Sequence, residues 1–247
     1  MAGSNRRAPG FLDGLRAPFG GLGFIMSTPS TWAAALVPVV IVLALTMLLG
    51  FGGVAGTRAL LDAFLPVLAT DVWYASVVRV LLYAVAVMIA ALVSMALAQP
   101  LSGPALERIV RAQERALGAG EHPSDDRALA SFWRGLRVTA VSLSFAALAI
   151  GLLLVVDVFV PPAAVVTVPL KFVVTALTLS WDVLDYPLGL RQRGVGQRLA
   201  WFRAHAPAVL GFGLALAVLF LVPCAGLLLL PAGAAGGARL VVASERA

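Results

Sequence analysis

The sequence is short of nearly everything on which soluble enzymes rely. Charged residues fill 12% of its 247 positions, against about 25% in a soluble domain, and that deficit excludes an ordinary water-soluble fold. Cysteine occurs once, at Cys224 in an apolar run, so no intrachain disulfide forms and the redox compartment leaves no mark. Lysine also occurs once, at Lys171, which leaves arginine to carry the net charge of +6. The two histidines, His122 and His205, lie in separate polar segments and make no metal site. No Ser/His/Asp arrangement, HExxH, CxxC or P-loop appears, and Gly20-Gly21-Leu22-Gly23 precedes no strand, so it reads as a turn or interface feature. Neither catalysis, a metal, a cofactor nor a nucleic-acid partner is expected.

What is abundant is apolar: 61% of the residues are hydrophobic and the mean hydropathy is +0.98. The expected class is an all-α integral membrane protein forming a single membrane domain over residues 1–247, with membrane lipids as its first partners. Residues 1–28 are broken by Gly and Pro and read as an amphipathic surface segment, not a cleaved signal. Thr28 is expected to cap a helix with Pro29 at its first position, where a missing N–H costs nothing. Residues 31–49 are uncharged and long enough to span, with Pro38 inside. A connection over 50–71 leads to a second span, 72–98, which opens with Trp73 and Tyr74 at the interface and holds Arg79 about two turns in. Arg79 either snorkels to the interface or faces a solute path.

After Gln99-Pro100 the character changes. Residues 101–137 hold six arginines and five acids, so the second helix is expected to run on into water, to end at Gly118-Ala119-Gly120, and to be followed by a solvated return. Two Pro-broken apolar segments follow, 138–180 around Pro161-Pro162 and 206–243 around Pro223 and Pro231. Each is flanked on both sides by arginine, and positive short loops stay cytoplasmic, so each must leave and return on one side. A pair of full spans and a re-entrant hairpin both satisfy that constraint. The fold expected is therefore two long transmembrane helices plus two Pro-broken, partly penetrating helical hairpins, with both termini cytoplasmic. Asp157 and Lys171 flank the first hairpin's turn at similar distances; either they pair across it, which lowers the cost of both charges, or serve a solute path, or they stand exposed at an outer turn. Asp182 and Asp185, three apart beside Trp181 and Tyr186, read as a packing and capping corner that Pro187 ends.

Asp185-Tyr186-Pro187, then a basic link, Gly211-Phe212-Gly213, Leu221-Val222-Pro223 and Leu230-Pro231-Ala232-Gly233-Ala234-Ala235-Gly236 form a set that resembles the CysZ sulfate permease family and the related etoposide-induced membrane proteins. Gly14, Gly21, Pro29 and Leu36-Val37-Pro38 are similar to that family's N-terminal half. The resemblance implies two long transmembrane helices, two pairs of partly penetrating helices, a homo-oligomer, and uptake of sulfate or sulfite across the bacterial inner membrane. It also implies an oxyanion-binding arginine pair shortly after Pro29, where this chain has Trp32 and Ala33. A helix start at Pro29 still offers the N–H groups of Ser30, Thr31 and Trp32 to an anion, beside two hydroxyls. Two functions remain: an oxyanion permease with pathway residues among Ser30, Thr31, Arg79, Asp157 and Lys171, or a non-transporting membrane scaffold whose interior is wholly apolar.

Overall fold

The computed structural model describes residues 7–64, 73–120, 128–221 and 225–247. They form α1 (Phe11–Ser27), α2 (Trp32–Phe64), α3 (Trp73–Ala116), α4 (Ala128–Phe159), α5 (Ala164–Leu190), α6 (Val195–Ala204), α7 (Ala206–Phe220) and α8 (Ala225–Glu245), with 3-10 turns at Pro29–Thr31 and Pro161–Ala163. No strand occurs among the described residues. The chain divides into two compact units, Met1–Leu36 with Gly103–Ala247, and Val37–Ser102.

Among the described residues, four segments are long and apolar enough to cross a bilayer: Pro29–Ala63, Trp73–Ala116, Leu136–Phe159 and Pro161–Leu190. Their large apolar side chains, among them Met47, Phe51, Leu148, Leu152 and Phe159, stand exposed. Helices that are hydrophobic all round and unburied by protein belong in lipid. The chain is an all-α integral membrane protein. The arms of the first hairpin, α4 and α5, each reach spanning length. In the second, the 15 residues of α7 rise only about 22 Å, short of a hydrocarbon core of roughly 30 Å, and α6 meets α7 at 94°.

Several sequence boundaries move. The first span does not stop at residue 49, because α2 runs unbroken through Gly50, Gly52, Gly53 and Gly56 to Phe64. Glycine weakens a helix in water, but lipid forces every backbone group to bond within its own segment, so the helix persists. For the same reason Pro38, Pro187 and Pro231 lie inside α2, α5 and α8 and end none of them. Pro187 was expected to close its element, yet α5 continues to Leu190. The small residues from Ala232 to Ala238 lie within α8. Pro223 and the solvated turn at His122 lie outside the described residues. Where the expectation concerned a glycine stop it holds: Gly118 has a positive φ of 67°, and the N–H groups of Gly118 and Ala119 donate to Arg115 and Glu114, both at 2.9 Å, closing the last turn of α3.

The larger unit is built round α1, which packs against both α7 and α8, while α5 packs against α4, α7 and α8. Gly14, Ala17, Pro18, Gly21 and Ile25 form the buried stripe of α1, so the N-terminal segment is part of the core and not only a surface helix. A Cβ on Gly14 would meet the Phe212 amide nitrogen at 2.9 Å, and one on Gly211 would meet the Leu15 amide nitrogen at 3.1 Å. Backbones this close explain why helices in lipid favour small residues where they touch. Phe212, Leu184, Leu188, Val209, Leu216 and Val241 fill the space between these seams and are almost wholly buried. The smaller unit consists of Val37 to Phe64 of α2 and Trp73 to Ser102 of α3, with Gly53 facing Ala86.

Candidate functional site

The helix start at Pro29 differs from the expectation in the way that matters for an anion. Thr28 makes no side-chain cap. The Thr31 N–H donates to the Thr28 carbonyl at 3.0 Å, its hydroxyl donates to the same oxygen at 2.7 Å, and the Trp32 N–H donates to Pro29. The Trp32 indole N–H reaches back to the Ile25 carbonyl at 2.9 Å. A 3-10 turn closes its bonds one residue earlier than an α-turn, so the donors expected to be free at Thr31 and Trp32 are already used. Thr31 is buried and Ser30 exposed. Arg79 is half-buried near the start of α3, in the smaller unit, and is engaged by its surroundings.

Asp157 and Lys171 do come together. The first hairpin turns at Val160–Ala163, so residues equally spaced on either side face each other across the α4–α5 contact. Asp157 lies opposite Thr167, whose hydroxyl donates to Asp157 Oδ1. One turn further along α5, Lys171 extends its long side chain back and donates from Nζ to Asp157 Oδ2. Both charged side chains are about one-fifth exposed. The result is a closed triad of one cation, one carboxylate and one hydroxyl at the turn end of an otherwise apolar hairpin. An unpaired ammonium or carboxylate costs about 3 kcal/mol at the centre of a membrane helix on insertion scales and less toward its end, and pairing lowers that cost further. The sequence spacing pointed to the ion pair; Thr167 was missed, although its position opposite Asp157 was available from the same turn.

A second polar network, of which local spacing carries little sign, ties the basic link to the helices. Arg198, buried on α6, donates from Nη1 to the buried carboxylate of Asp185 and from Nε to the Arg193 carbonyl at 2.8 Å. Asp185 is thus an ion-pair anchor for the link. Beside it, Arg191 grips Glu245 with Nε at 2.5 Å and Nη2 at 2.8 Å, while Nη1 reaches Glu114 at 2.6 Å and the Pro187 carbonyl at 2.9 Å. Burial disfavours the charged guanidinium of Arg191, but the hydrogen bonds to Glu245 and Glu114 outweigh it and hold its pKa above the ordinary arginine value. Three helix ends, those of α3, α5 and α8, meet at this one side chain. Tyr186 is buried in the core beside it. Gly213 packs its Cα onto α5 at Ala176, where Ser180 donates to the Val209 carbonyl at 2.9 Å. These residues build the frame.

Residues 17–231 match the protein family described as Sulfate transporter CysZ/Etoposide-induced protein 2.4. The chain belongs to this family. Among curated relatives, a protein named Sulfate transporter CysZ from Pseudomonas paraeruginosa is 32% identical over 94 residues, 38% of this chain and 38% of the relative. One of the same name from Pseudomonas aeruginosa is 31% identical over 94 residues, again 38% of each chain. The aligned part thus spans well under half the length of these CysZ relatives.

Proposed function

We propose that the protein is a permease for sulfate-like oxyanions in a bacterial inner membrane, acting as a homo-oligomer with both termini in the cytoplasm. The observation that carries this reading is the position of Lys171, the sole lysine, held near the closed end of an apolar hairpin by Asp157, whose other oxygen accepts the Thr167 hydroxyl. Ionisable groups within membrane helices face a partner or a water-filled route, and their presence there is a pointer to ion passage. The arginine-rich flanks of the hairpin keep to the cytoplasmic side by the positive-inside rule, which puts its closed end toward the opposite face. An incoming oxyanion meets Lys171 there as its first cation.

With no solute present, Asp157 neutralises Lys171 and the triad carries no net charge. A doubly charged oxyanion competes with Asp157 for the ammonium hydrogens and for the Thr167 hydroxyl. The competing carboxylate keeps the binding weak, as passage requires: a site must be favourable enough to occupy and loose enough to leave. Arg79, on α3 of the smaller unit, is a separate charged side chain near the start of a spanning helix. The names of the CysZ relatives support sulfate as the solute, and the exposed apolar faces of α4 and α5 suit further copies or lipid.

The reading is tested by uptake of labelled sulfate in a bacterium lacking its own sulfate carriers. Cells expressing the chain should accumulate label, and cells expressing Lys171→Gln should fall to the background. Equal accumulation with and without the chain removes transport and leaves the membrane-scaffold alternative.

A further inference from the structure

A second group of charges converges on different elements. The segment before α1, α1 itself, the end of α3 and the last turns of α8 surround a cavity of about 460 Å³ whose polar walls are Arg7, Asp13, Arg16, Arg239 and Arg246. Four guanidinium groups against one carboxylate leave a local charge of +3. Asp13 is partly committed: it accepts the Gly10 N–H at 2.8 Å and lies 3.8 Å from Arg7. Arg246 is held at the rim by the Leu117 carbonyl. Arg16 and Arg239 have no carboxylate partner among the described residues.

The arrangement is built by the packing of α1 on α8. The seam where Gly21 meets Gly236 fixes the register of the two helices and so the separation of Arg16 from Arg239. The Arg239 guanidinium then lies flat over Gly20: a Cβ there would stand 3.1 Å from its Cζ and Nε. A Cβ at position 20 would make Arg239 give way by a few tenths of an ångström, and a large side chain there would displace its guanidinium. Gathering cations in one concavity raises their mutual repulsion and focuses the field on whatever enters. Next to Arg16 on the helix surface runs an exposed apolar stripe of Leu12, Phe19, Leu22 and Met26. A cationic pocket bordered by exposed apolar side chains sits where headgroups meet acyl chains.

We propose that this cavity is a binding site for a tetrahedral oxyanion of the phosphate or sulfate class, supplied either as the headgroup of an anionic phospholipid or as the free ion. Arg16 and Arg239 provide the principal N–H donors, with Arg7 and Arg246 closing the rim. The site is independent of the hairpin triad and stands whether or not the chain transports sulfate.

The test uses the full chain purified in neutral detergent. Sodium sulfate and a short-chain phosphatidylglycerol are titrated separately by calorimetry, with sodium chloride at matched ionic strength as control. Saturable binding of at least one probe, about tenfold weaker in Arg16→Gln/Arg239→Gln, is expected, since two charge-assisted contacts are lost. Gly20→Leu keeps every charge but displaces Arg239, and it should also weaken the response while leaving the unfolding temperature near that of the parent. Saturation by sulfate identifies the free ion as sufficient; saturation only by the lipid assigns the site to the headgroup. Binding of neither probe beyond the chloride control, or equal binding by parent and double variant, overturns the proposal.

Discussion

Gly21 on α1 abuts the backbone of Gly236 on α8, and Gly236 in turn abuts the backbone of Ala17 and Pro18 on α1. A Cβ on Gly21 would stand 2.5 Å from the Gly236 amide nitrogen, and a Cβ on Gly236 would stand 2.9 Å from the Pro18 nitrogen. Neither neighbour is a flexible side-chain end that can yield, so the two helices are in backbone contact along this seam. The same relation, repeated at Gly14 and Gly211, inserts the N-terminal helix between the two helices of the C-terminal hairpin.

Gly21→Leu and Gly236→Leu should each destabilise the detergent-solubilised protein by about 2 kcal/mol or more, the scale of overpacking a close-fitting core. Gly23→Leu, two residues along the same helix with nothing within 4 Å of its Cβ position, should be neutral. Thermal unfolding of the three variants checks this. Equal effects at Gly21 and Gly23 would show that α1 is not held by the seam.

The Arg198–Asp185 pair is buried on both sides. Asp185→Leu alone strands a guanidinium and Arg198→Met alone strands a carboxylate, and each should cost about 3–5 kcal/mol. The double variant should recover most of the loss, because the cost lies mainly in the uncompensated charge. Chemical denaturation of the two single variants and the double variant closes the cycle. Additive losses would mean that the two side chains do not depend on each other.

How much of this was legible in the sequence depends on the range of each interaction. The helical class, the turn at Pro161-Pro162, the stop at Gly118 and the pairing of Asp157 with Lys171 all follow from local pattern or from reflection about a nearby turn. Pro187, Pro231 and the glycines of α2 were read by rules for helices in water, and lipid changes the weight of those rules by denying the backbone any other partner. The donors at Thr31 and Trp32 were misjudged because a 3-10 turn and an α-turn share the same Thr-Pro signature. Arg191 reaches Glu114 across 77 positions, and no spacing in the sequence announces such a contact. The roles of Gly21 and Gly236 emerge only when the two ends of the chain are side by side.

Topology has its own check. Cys224 is the only native thiol, so its replacement by Ala gives a background for introduced cysteines. A cysteine at Gln192, in the arginine-rich link, should resist an impermeant thiol reagent applied to intact cells. It should react once the membrane is opened. A cysteine at Pro162, at the turn of the first hairpin, should react from outside or lie protected within the bilayer, and should not be labelled from the cytoplasm alone. External labelling at position 192 would reverse the orientation on which the route past Lys171 is drawn.

The most direct measurement is the flux of labelled sulfate into proteoliposomes containing the purified chain. The account predicts uptake above that of empty vesicles, reduced about tenfold or more in Lys171→Gln and in Asp157→Asn/Lys171→Gln, the latter carrying no stranded carboxylate. Uptake equal to that of empty vesicles, or undiminished in the double variant, would contradict the claim that the hairpin triad carries an oxyanion across the membrane.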